Sequence, residues 1–392
     1  MGLEMSLAET CGWTLVRAVL LCLLAWPVIV LIEKWLRGLP DHRRPVPFAL
    51  LMAPFLFPEL VVGYAFRQIA LSAPQRAEWL CVSLLFVRIV PVGVITLLAS
   101  PAALIGPAAV HCRKLLLRAN PGSFDEWMRL VACYWHGPIR RVLPAMGLMG
   151  LVAFQEFELA ALLQTASWTD WFITAQRFGL EQIAMLRKAV WPLVLQFPLL
   201  FGAGVWLTRQ KVPTAEREEA ASLPLPRWMR LMVLGYLGCA LVGGCLIPLA
   251  IMSWNLPGGL ILLVRQPVQW SGLGREILIA SAISVCAGLT TWFAGIAWSS
   301  WERHSRLQNL FLQGMLLPGL TGSLLLSLAA MGLFQQTWLR LFYNTPIPWL
   351  LALIIWLFPR AILLRFWLNA LTQTEAVHLA EMLSRHDKAF QR

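Results

Sequence analysis

The chain has 392 residues, 58% of them hydrophobic and only 13% charged, with a mean hydropathy of +0.67. Soluble domains carry about 25% charged residues, so the composition excludes a soluble enzyme or binding module and predicts an all-α polytopic transmembrane helical bundle. The net charge of +12 does not point to nucleic acid, because the basic residues sit between apolar runs rather than in one patch.

Met1 to Thr10 has no basic n-region and so no signal-peptide pattern. Nine apolar runs then approach the roughly 20 residues that a crossing needs: about 13–33, 46–70, 79–99, 143–164, 189–208, 229–252, 276–300, 310–334 and 347–368. With the N-terminus outside, 21 of the flanking Lys and Arg fall on inner loops and 8 on outer segments. That bias sets the orientation. From Trp79 to Cys112 the run is too long for one span and contains Pro91, Pro101 and Pro107. One crossing plus a cytoplasmic extension keeps the downstream basic loops inside. Trp168 to Leu186 reads as an amphipathic segment lying on the outer surface. The charged, Pro-bearing stretch 209–228 divides the chain into a first half, 1–208, and a second, 229–392.

The two halves show a weak repeat. Met52–Gly63 (MAPFLFPELVVG) resembles Gln313–Ser323 (QGMLLPGLTGS). Each follows a basic loop and precedes a span broken by proline, at Pro91 and at Pro359. Parallel halves of this kind are a transporter signature.

Asn120 to Pro144 is polar, basic and amphipathic. Ser123 and Glu126 form a capping-box pattern, which predicts a helix from Phe124. Trp127, Leu130, Val131 and Tyr134 share one face, and Gly137-Pro138 ends the helix. Such a helix either docks in a partner's groove or lies on the lipid surface.

Ionisable residues inside spans are costly and mark functional sites by default. Glu59, Arg88, Glu156, Glu158 and Arg360 fall well inside apolar runs, and Glu59 and Arg88 are expected to pair. They either line a translocation path or fix helix packing. Arg17, near the outer end of its span, is expected to snorkel. The eight cysteines show no CxxC spacing and read as packing residues. The six histidines have no metal-ligand spacing, and no catalytic grouping stands out. Many of the tryptophans lie near span ends, as an aromatic belt does.

These motifs resemble the inner-membrane permease subunits of binding-protein-dependent ABC importers, especially the fused two-half type related to iron(III) and thiamine uptake. Asp125 and Glu126 match the acidic start of that family's cytoplasmic loop, and Arg129-Leu130 match the residues after it. Arg140-Arg141-Val142-Leu143-Pro144 matches its closing run. GLVAFQEFELAALL, 150–163, is similar to the helix that follows. Trp127 and Met128 stand where the family has two alanines, and Ala132 or Gly137 where it has glycine. The resemblance implies that 123–136 is the coupling helix, with Glu375 and Glu381 in a degenerate second copy. Because the family continues through further spans, it also implies either a fragment or a reduced permease with an incomplete second half. It implies an inner (plasma) membrane location and an external solute-binding protein, with no cofactor of its own. The ATPase is expected on a separate chain, since no GxxxxGK(S/T) loop occurs here. Two other readings are a non-transporting membrane scaffold of permease ancestry and an ion-coupled secondary transporter.

Overall fold

A computed structural model describes residues 6–100, 140–209, 225–264, 267–300, 314 and 316–371. Every regular element among them is helical. α1 (Leu7–Arg37) opens on a capping box: Glu9 N–H donates to Ser6 Oγ, and Ser6 N–H donates to the Glu9 carboxylate at 2.7 Å. There follow α2 (Pro45–Leu56), α3 (Glu59–Ser72) and α4 (Pro74–Ala99). Next come α5 (Arg140–Phe154), α6 (Glu158–Leu163), α7 (Trp168–Arg177) and α8 (Gln182–Arg209). α9 (Arg227–Leu241) runs through a π turn, Val242–Leu246, into α10 (Ile247–Val264). The last are α11 (Pro267–Ser300), α12 (Ser323–Phe334), α13 (Arg340–Tyr343) and α14 (Ile347–Leu371).

Among the described residues, six stretches of helix are long and apolar enough to cross a bilayer: in α1, α4, α8, the joined α9–α10, α11 and α14. The pair α2–α3, bent by 68°, makes a seventh if it crosses as one. Two more of the nine expected spans are interrupted. The run 143–164 is split into α5 and α6, and the described part of 310–334 breaks at Thr321-Gly322, where Gly322 has φ +92°. These facts define a multi-pass α-helical membrane protein. Its lipid-facing surface is greasy: α11 alone exposes Ile277, Leu278, Val285, Leu289 and Phe293.

The main core joins α1, α4, α5, α7 and α8, with Ile29, Ile32, Leu85, Ile89, Val94, Met149 and Phe172 buried. Gly93 sits where these helices come closest. A Cβ there would lie 2.5 Å from Met149 Sδ and 2.9 Å from an Ile29 methyl. Without a hydrophobic drive between helices in lipid, such close backbone approach supplies the packing.

Two expected breaks do not occur. α4 passes unbroken through Pro91, and α14 through Pro359. A proline in a helix frees the carbonyl four residues earlier. For Pro91 that is Val87 O, which accepts from Tyr236 Oη at 3.4 Å. For Pro359 it is Ile355 O, which lies against the bare Cα of Gly319 so closely that a Cβ there would overlap it. Tyr236 thus meets the freed Val87 O, Gly319 leaves room beside Ile355 O, and both helices continue.

Two further expectations need correction. Arg17 does not snorkel: its side chain is buried, and it forms a two-point pair with Glu78, at 2.6 and 3.0 Å. The segment 168–186 is not a free surface helix in its first part. α7 is packed into the end of the bundle, with Trp168 1% and Phe172 0% exposed.

Candidate functional site

The helix interruptions supply the site. In hydrocarbon every freed backbone group needs a partner inside the protein, so broken helices draw polar side chains to them. At the α2–α3 bend, Pro58 has no N–H, and Phe57 before it is extended at ψ 136°. Arg88 of α4 crosses to this bend. It donates to Phe57 O at 3.0 Å and Phe55 O at 3.4 Å, and it is ion-paired with Glu59.

The α5–α6 break, Gln155–Phe157, lies against the same bend. Glu156 is buried, and its Oε1 accepts from Leu159 N–H at 2.8 Å, satisfying a donor in the first turn of α6. Its carboxyl group lies near that of Glu59 and the Arg88 guanidinium, close enough for their charges to act on it. Glu158, at the start of α6, lies close enough to Glu59 and Arg88 to feel both charges. The structure therefore brings Glu59, Arg88, Glu156 and Glu158 into one node beside two interrupted helices. The expected Glu59–Arg88 pair is present.

A polar bridge extends from the node to a third break. Gln155 Nε2 donates to Gln196 Oε1 of α8 at 2.8 Å and to Leu320 O at 2.6 Å. The Gln155 side chain packs on Gly322, where a Cβ would come within 3.1 Å of it. Gln196 Nε2 is buried without a partner. Sequence reasoning missed both glutamines, although a Gln inside the run WPLVLQFPLL is a visible signal. Among the described residues, Arg360 forms no ion pair with these carboxylates, although Glu59 is near enough to act on its charge. Its guanidinium is over the Trp356 ring, 3.6 Å from the centroid, and donates to Trp356 O at 2.7 Å.

A second cluster closes the opposite end of the bundle from α7. Glu33, 3% exposed, pairs with Arg37 and, at 2.5 Å, with Arg141. Arg37 also donates to Leu97 O and Ser100 O, both at 3.1 Å, and Arg141 to Leu97 O at 3.0 Å. Two cations thus cap the carbonyl end of α4, where the helix dipole favours them. Sequence reasoning had placed Arg37 and Arg141 on the inner side but missed Glu33 as their shared counter-ion.

The coupling-helix candidates Asp125, Glu126, Trp127, Leu130, Val131, Tyr134 and Gly137 lie outside the described residues, as do Glu375 and Glu381. Arg141 is the nearest side chain to that segment with described contacts. Among the described residues no three His, Cys, Asp or Glu are grouped to hold a metal. Six free cysteines are described, four of them buried. No family model, curated protein or solved structure matches the chain.

Proposed function

We propose that this chain is the membrane-spanning permease subunit of an ABC-type importer. It forms the solute path and couples it to a separate ATPase. Its halves are 1–208 and 229–392, joined by the linker 209–228. It sits in an inner (plasma) membrane with its N-terminus outside and receives solute from an external binding protein. The bent pair α2–α3 and the interrupted runs 143–164 and 310–334 complete nine passes.

One observation carries the reading: four ionisable side chains and two glutamines gather where apolar helices are interrupted. Transporters build their sites from discontinuous helices whose free backbone groups face a polar centre. Intramembrane charge without such a role is seldom kept. The importer class, with its motor and binding protein, rests on the resemblance of 120–163. A second reading, an ion-coupled transporter, draws on the buried Glu156 lying near Glu59 and Arg88 inside the apolar bundle, since carboxylates of this kind serve ion and proton relays.

Copurification separates the two. The tagged chain, extracted from native membranes in mild detergent, is expected to bring an ATPase subunit recognisable by its own phosphate-binding loop. Trp127→Asp places a charge on the apolar face at 123–136 and is expected to abolish that association while leaving chain abundance unchanged. Full association in the variant contradicts docking through this helix. A chain that never carries an ATPase leaves the ion-coupled reading in its place.

A further inference from the structure

We propose that α7 is a hinged plug that closes the bundle over the Glu156 node, at the end where α1 begins. It rests on the reading of that node as a path only for what passes beneath it. Three residues with positive φ occur among those described, and two of them bracket α7: Gln164 at 56° and Gly179 at 83°. The left-handed conformation is costly for Gln164, a residue with a Cβ, and marks a place where the chain is forced to turn.

What holds α7 down is unusual. Trp168 Nε1 donates to Phe154 O at 2.7 Å, and Thr169 Oγ1 donates to Glu156 O at 2.9 Å. Both carbonyls are free only because α5 stops at Phe154. If the helix ran on, they would accept from the N–H groups four residues later. α7 and helix continuity therefore compete for the same acceptors, which makes a two-state element of the break. The aromatic contacts follow the same logic. Trp168 stacks on Phe154, the last residue of α5, at 5.6 Å, and meets Phe172 edge-on at 5.9 Å. Trp168 N–H also donates to Thr14 Oγ1 of α1 at 3.3 Å. The linker before α7 carries a latch, since Arg17, fixed by Glu78, donates to Ala166 O at 2.8 Å. This gives the buried Arg17–Glu78 pair a purpose.

Cys81 reports on the plug. It is fully buried, and the linker residue Thr165 donates to its thiol at 3.6 Å. A chain keeping Cys81 alone, reconstituted in nanodiscs, is exposed to a water-soluble maleimide. Modification is expected to be slow in the parent and about tenfold faster or more in Trp168→Ala, which loses one hydrogen bond and one ring stack from the closed state. Trp168→Phe keeps a ring against Phe154 and is expected to fall between the two. A control chain keeps Cys22 alone, which is buried between α1 and α5 with its thiol 3.5 Å from Met146 O. It is expected to be unaffected. Equal Cys81 rates in parent and Trp168→Ala overturn the plug. So does parallel acceleration at Cys22, which means the whole bundle has loosened. No ATPase or solute takes part, so failure of the importer reading and failure of the plug give different results.

Discussion

Arg88→Met is expected to destabilise the purified protein by about 3–5 kcal/mol, the usual cost of removing one partner from a buried ion pair. The variant loses more than the pair. Phe57 O and Phe55 O lose their donor at the α2–α3 bend, and the Glu59 carboxylate is left beside Glu156 and Glu158 without its cation. The readout is the apparent melting temperature in detergent, together with the fraction recovered as a monodisperse species. The double variant Arg88→Met, Glu59→Met removes the stranded charge and is expected to recover much of the loss, because a buried pair replaced by apolar groups is often neutral. The remainder, about 1–3 kcal/mol, belongs to the carbonyls left unsatisfied. A single variant that melts with the parent means the node is not holding the two broken helices together.

The next largest effect is expected from Glu33→Leu. This carboxylate is the shared counter-ion of Arg37 and Arg141, and its loss leaves two cations packed against the end of α4. The Arg37 side chain is 31% exposed and keeps three carbonyl partners, so solvent offsets part of its loss. The Arg141 side chain, at 18%, has less relief. The expected cost is about 3 kcal/mol, at the lower end for a buried pair. Glu33→Gln keeps a hydrogen-bond acceptor and is expected to cost less. Equal melting of Glu33→Leu and the parent would show that the ends of α1, α4 and α5 are held by apolar packing alone.

Much of this arrangement was legible in the sequence, because the bilayer imposes simple rules. Apolar runs of crossing length marked the helices, and charges within them marked Glu59, Arg88, Glu156 and Glu158, which the fold gathers into one node. The errors have specific causes. Proline predicted breaks at Pro91 and Pro359, yet a tyrosine on α9 donates to one freed carbonyl and a glycine before α12 leaves room for the other, and neither is near in sequence. The break at Gln155–Phe157 has no proline or glycine to announce it. It is maintained by partners on α7 and α8. Arg17 looked free to reach the headgroups because Glu78, its partner, lies 61 residues away. The apolar face of α7 was assigned to the membrane surface because such a surface and a protein core select the same side chains. In each case a local pattern was read correctly and its partner was non-local.

The importer account depends on the segment before Arg141 standing in the cytoplasm, on the side where a motor can reach it. A cysteine at Ser123, in a chain with its native cysteines replaced, tests this with a membrane-impermeant thiol reagent applied to intact cells and to inverted membrane vesicles. The account predicts modification in the inverted vesicles and none in intact cells. Modification in intact cells would put the segment on the wrong face of the membrane and contradict coupling to an ATPase.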